Sequence, residues 1–121
     1  MGNLWSDQAK YQSWLDVEIA ACEANFKLGK IPKSAMETIR TKARFQPERI
    51  LEIEEEVRHD VIAFLTNVNE YVGDAGRYIH VGMTSSDVLD TGLALQLKSS
   101  VKLLKKELLI LEEAIRDLAT Q

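Results

Sequence analysis

Apolar residues recur at steps of three and four along most of the chain, the spacing that gathers them on one face of an α-helix. Tyr11, Trp14, Leu15, Ile19, Cys22 and Phe26 form the first such stripe, with Ser6 or Asp7 placed to cap its start and Gly29 to end it. Ile31-Pro32 restarts the chain, and Ala35, Met36, Ile39 and Ala43 predict a shorter amphipathic helix. Pro47 opens a third, in which Ile50, Ile53 and Val57 lie opposite the acidic run Glu54 to Glu56, read as a solvated face. From Asp60 the pattern resumes as Val61, Phe64, Leu65, Val68 and Val72, until Gly73 to Gly76 interrupts it with a loop. His59-Asp60 therefore falls at a junction between two helical stretches. Tyr78 to Val81 is β-prone, but no partner strand is evident in the sequence, so an extended loop is predicted there.

The last segment carries a seven-residue repeat. Leu97, Val101, Leu104, Leu108, Leu111, Ile115 and Leu118 alternate steps of four and three. A helix from Asp87 to Thr120 would run about 50 Å, longer than a compact domain of this size needs, so the stripe calls for partner helices. Leu103, Leu109 and Ile110 widen it beyond the seam of a two-stranded coiled coil, which suits a multi-helix bundle. The expected fold class is all-α, with a small N-terminal helical domain over residues 1–86 followed, over 87–121, by the first long helix of a central bundle.

Composition narrows the function classes. The 121 residues are 45% apolar and 28% charged, with a formal net charge of -4, which argues against a basic nucleic-acid-binding surface. Cys22 is the one cysteine, so no internal disulfide can form, and thiolate metal sites are remote. No apolar run approaches the roughly 18 residues of a membrane span, and Met1 to Asp7 lacks the basic-then-apolar order of a secretory signal. A cytoplasmic chain is expected. Phosphate-binding glycine loops, paired-histidine metal motifs and nucleophile elbows are absent from the sequence.

Two stretches could carry chemistry. Thr84 and Asp87 have the capping-box spacing ahead of the long helix, and Thr84, Ser85 and Ser86 set three hydroxyls at its positive end. Both a plain cap and a seat for a carboxylate or phosphate fit that pattern. Arg58-His59-Asp60 offers a guanidinium, a titratable imidazole and an acceptor in consecutive positions. His59 and the other histidine, His80, each fit either a surface or structural role or a ligand contact. Trp14, at helical spacing, reads as core.

Taken in order, Trp5-Ser6-Asp7, Tyr11, Trp14-Leu15, Glu18, then Arg58-His59-Asp60-Val61, then His80-Val81-Gly82-Met83-Thr84-Ser85-Ser86-Asp87-Val88-Leu89-Asp90-Thr91 resemble the adenylosuccinate lyases of the fumarase/aspartase superfamily. The last block is similar to the first of the superfamily's three signature regions. The resemblance implies an all-α homotetramer, each active site built from three subunits, that cleaves adenylosuccinate to AMP and fumarate, and the succinyl-carboxamide ribonucleotide SAICAR to AICAR. It implies no metal or organic cofactor, no nucleic-acid partner and no membrane. It also implies that Arg58, His59, Asp60, His80, Thr84, Ser85 and Ser86 contact substrate, with the Arg58 stretch folded close to the hydroxyl-bearing turn.

The resemblance places the general acid, a Thr-His pair, shortly after Gln121, and the general base on a Ser-rich loop beyond it. The family's opening Arg-Tyr has no counterpart in Met1-Gly2-Asn3-Leu4. No catalytic acid or base is therefore expected within this chain, which reads as an N-terminal portion inactive by itself. Two other readings remain: another superfamily member such as argininosuccinate lyase, or a non-catalytic helical module that binds partner helices through the Leu97 to Leu118 stripe.

Overall fold

The computed structural model describes residues 1–120, and among these every regular element is helical. After a 3-10 turn at Gly2–Trp5 come α1 (Asp7–Lys27), α2 (Lys33–Lys42), α3 (Pro47–Val57) and α4 (Asp60–Val72); a second 3-10 turn, Gly73–Tyr78, leads toward α5 (Ser85–Ala119). The expected loop after Val72 is thus wound into 3-10 geometry, and 79–84 is loop and turn rather than strand.

The ends follow from local chemistry. Ser6 caps α1, its hydroxyl accepting the Ala9 N–H at 3.2 Å, and Gly29 at φ +73° leaves the helix in the left-handed region that glycine enters without strain. Pro32 caps α2, and Pro47 begins α3, where its missing N–H costs nothing. Arg58 ends α3 at φ +52°, its N–H donating to the Glu54 carbonyl at 2.8 Å, and the chain turns directly into α4.

The stripe of α1 lies at the centre of the packing. Tyr11 and Trp14 meet edge to face at 5.2 Å, Tyr11 stacks on Phe64 of α4 at 6.0 Å, and Trp14 meets Phe64 edge-on at 5.6 Å. Met36 and Ile39 of α2, Ile50 of α3, and Val61, Phe64 and Val68 of α4 are all fully buried around this cluster. Exposed ion pairs join neighbouring helices at the rim, Arg40 bidentate to Glu23 across α2 and α1, and Arg49 to Glu70 across α3 and α4.

The long helix α5 joins this core by its first turns only. Val88 is buried, and Gly92 faces α1 so closely that a Cβ there would stand 2.7 Å from Trp14 Cδ1 and 3.0 Å from Ser13 Oγ. Farther along, the Gln96 side chain donates to the Leu4 carbonyl at 2.8 Å and Ser100 is buried, while Leu97, Val101, Leu104, Leu108, Leu111, Ile115 and Leu118 are exposed, Leu118 by 71%. The stripe expected to seek partners is bare over the described residues.

Two consequences are testable. In an open helix, glycine to alanine adds stability, but at Gly92 the new methyl meets an indole ring, so Gly92→Ala should destabilise by about 1–3 kcal/mol in urea titrations. The guanidinium groups of Arg40 and Arg49 hold the Glu23 and Glu70 carboxyls below their ordinary value of 4.5. Their stabilisation is therefore present above that pH and fades as pH falls below it. A Glu23→Gln, Glu70→Gln double variant should show a flatter loss of melting temperature between about pH 5 and 3 than the unaltered chain.

Candidate functional site

The hydroxyl-bearing turn sits where α5 begins. Thr84 is the N-cap, in extended conformation, and its backbone N–H donates to Asp87 Oδ2 at 2.8 Å while its own hydroxyl reaches the same oxygen at 3.3 Å. The first helical position is Ser85, two residues ahead of the expected Asp87, because the capping motif itself defines the start. The Ser85 and Ser86 hydroxyls make no hydrogen bond among the described residues, Ser85 half-buried and Ser86 exposed. Asp87 thus serves the cap and sets its carboxylate in the first turn of α5, leaving the Ser85 and Ser86 hydroxyls for other partners.

His80 lies four residues upstream in an unusual setting. Its backbone is left-handed at φ +66°, and its side chain is turned onto Glu18 of α1, with Nδ1 2.6 Å from Oε1. The other carboxylate oxygen, Oε2, accepts the His80 backbone N–H at 2.9 Å. Glu18 is 1% exposed. Burial raises its carboxyl above the ordinary range, a push opposed by the hydrogen bonds and charge of His80. Cys22, one turn along α1, donates from its thiol to the Tyr78 carbonyl at 3.6 Å, and burial pushes that thiol up to about 11, far from a reactive thiolate.

Glu18 was not singled out for a role on sequence grounds, yet a signal was available. It occupies the buried stripe of α1 between Trp14 and Cys22, four residues from each, where a carboxylate implies an enclosed partner.

Arg58-His59-Asp60 forms the corner between α3 and α4. His59 is the N-cap of α4, its Nδ1 accepting the Ile62 N–H at 3.3 Å. The same Nδ1 lies 3.6 Å from Asp60 Oδ1. Asp60 Oδ1 accepts the Val61 N–H at 2.7 Å, and the exposed Arg58 side chain makes no hydrogen bond among the described residues. His59 caps the start of α4, and the chain reaches His80 only after α4 and the second 3-10 turn. No hydrogen bond or ion pair among the described residues joins the two segments. Hydrogen bonds join His80 to Glu18 of α1, while those of His59 and Asp60 stay within the corner between α3 and α4.

A family model described as a lyase matches residues 1–121. The chain belongs to this lyase family. It is 65% identical over all 121 residues to the adenylosuccinate lyase of a Synechocystis species, spanning 28% of that protein's length. Among solved structures, it superposes on a fumarate lyase from Mesorhizobium with a TM-score of 0.75 at 28% identity, covering 87% of this chain and 26% of that one. A 3-carboxy-cis,cis-muconate lactonizing enzyme from Pseudomonas putida gives 0.79 at 30% identity, covering 88% and 26%. The resemblance read from the motif blocks and the all-α expectation both agree with these findings. No described helix is long and apolar enough to cross a membrane.

His59 has a structural duty that can be separated from any ligand contact. Asparagine caps helices well, so His59→Asn should keep unfolding free energy within about 0.5 kcal/mol of the unaltered chain, whereas His59→Ala should cost about 1 kcal/mol. Chemical denaturation of both variants checks this.

Proposed function

We propose that this chain is the N-terminal part of an adenylosuccinate lyase, releasing fumarate from adenylosuccinate to give AMP and from SAICAR to give AICAR. The 65% identity over the whole chain to the Synechocystis adenylosuccinate lyase carries the reading. In this reading, residues 1–86 form the N-terminal helical domain and 87–121 the first helix of a central bundle. The working enzyme is a cytoplasmic homotetramer, needing neither metal nor organic cofactor, in which the bare stripe of α5 packs against helices of its own and other subunits.

The chemistry suits what the hydroxyl-bearing turn provides. β-Elimination removes a proton beside a carboxylate and builds negative charge on it before the carbon–nitrogen bond breaks. Donors already aimed at that charge lower the barrier without reorganising. Thr84, Ser85, Ser86 and the start of α5 are assigned to a substrate anion, with His59, His80, Arg58 and Asp60 holding the nucleotide. The proton-transfer groups belong to the rest of the enzyme.

Because the chain spans 28% of the Synechocystis lyase, the test replaces the matching segment of that enzyme with this chain. The graft should release fumarate from adenylosuccinate, followed by ultraviolet absorbance, while the 121-residue chain alone should not. Ser85→Ala in the graft should lower turnover on the order of ten- to a thousandfold. Unchanged kinetics would remove Ser85 from the site, and a folded graft that cleaved argininosuccinate instead would reassign the substrate.

A further inference from the structure

A carboxylate enclosed in a helical core is costly unless its oxygens are engaged, and Glu18 has both of its hydrogen bonds from one residue. Oε2 takes the His80 backbone N–H and Oε1 faces Nδ1. His80 is in left-handed backbone at φ +66°, uncommon for a residue other than glycine. The Met83 N–H donates to the His80 carbonyl at 3.3 Å, so the same turn delivers the chain to Thr84 and the start of α5. On the ring, Nε2 makes no hydrogen bond among the described residues, and 21% of the His80 side chain is exposed.

We propose that Glu18 is a positioning residue: by accepting both the backbone N–H and the ring Nδ1–H of His80, it fixes the tautomer and leaves Nε2 as the ring atom that meets the nucleotide. The inference rests on the lyase reading for its ligand, but not for its geometry. An ionised carboxylate can only accept, so the ring proton must sit on Nδ1. If Glu18 were instead protonated and donated to Nδ1, the ring proton would move to Nε2 and the group offered to a ligand would reverse from acceptor to donor. Glutamine has one oxygen and cannot accept from both donors. With that oxygen on the His80 backbone N–H, its amide nitrogen faces Nδ1 and forces the opposite tautomer.

Two-bond proton–nitrogen correlation spectra of the neutral imidazoles in the 121-residue chain read this directly, with His59→Asn used to assign the two rings. His80 should carry its proton on Nδ1, and Glu18→Gln should move it to Nε2 with helicity by circular dichroism unchanged. An Nε2–H tautomer in the unaltered chain, or no change of tautomer in a folded Glu18→Gln variant, would overturn the proposal. Should the variant not fold, the spectrum of the unaltered chain decides alone. In the graft, Glu18→Gln should lower kcat/KM on the order of ten- to a hundredfold, as for other partners that orient a functional histidine. An active graft indifferent to that change would sink the positioning role. An inactive unaltered graft with the Nδ1–H tautomer intact would count against the lyase reading while leaving the hold of Glu18 on His80 in place.

Discussion

Burying the Glu18 carboxylate is the constraint on which the arrangement of this chain turns. An ionised group cannot remain in such surroundings unless donors reach it, and the donors that do are separated from it by 62 positions in sequence. Satisfying it holds the segment after the second 3-10 turn on the middle of α1, four residues before the cap that starts α5. The left-handed backbone at His80 is the local cost of bringing a main-chain N–H and an imidazole to one carboxylate together.

Once α5 has started there, the absence of a side chain at Gly92 lets it lie close against Trp14 and Ser13. The same indole meets Phe64 edge-on at 5.6 Å, so α1 contacts both α4 and α5 through one aromatic residue. The polar and apolar devices are complementary. The carboxylate sets the entry of α5, and the aromatic contact sets its approach.

Much of this was legible in the sequence because the helices are amphipathic and punctuated. Ser6, Gly29, Pro47 and Thr84 mark ends by chemistry that acts over a few residues, and their helices appear where those marks stand. Trp14 proved to be core, as its spacing indicated. The motif blocks pointed to a lyase, in agreement with the family match over residues 1–121. What local pattern could not convey was long-range pairing. The hold of Glu18 on His80 depends on tertiary approach, and only the misfit of a carboxylate in an apolar stripe hinted at it. The capping duty of His59 was hidden for another reason, since histidine is not among the usual N-cap residues and nothing in Arg58-His59-Asp60 marks its ring as a backbone acceptor.

The unsupported end of α5 has a mechanical meaning. From Val101 to Ala119 the helix reaches about 28 Å past Ser100, its last buried residue, anchored through Val88, Gly92 and Ser100. A tilt of about 5° at Gly92 would carry the tip by roughly 3 Å. Whatever grips Leu118 therefore has leverage on the joint beside Trp14, and through α1 on the carboxylate that orients His80.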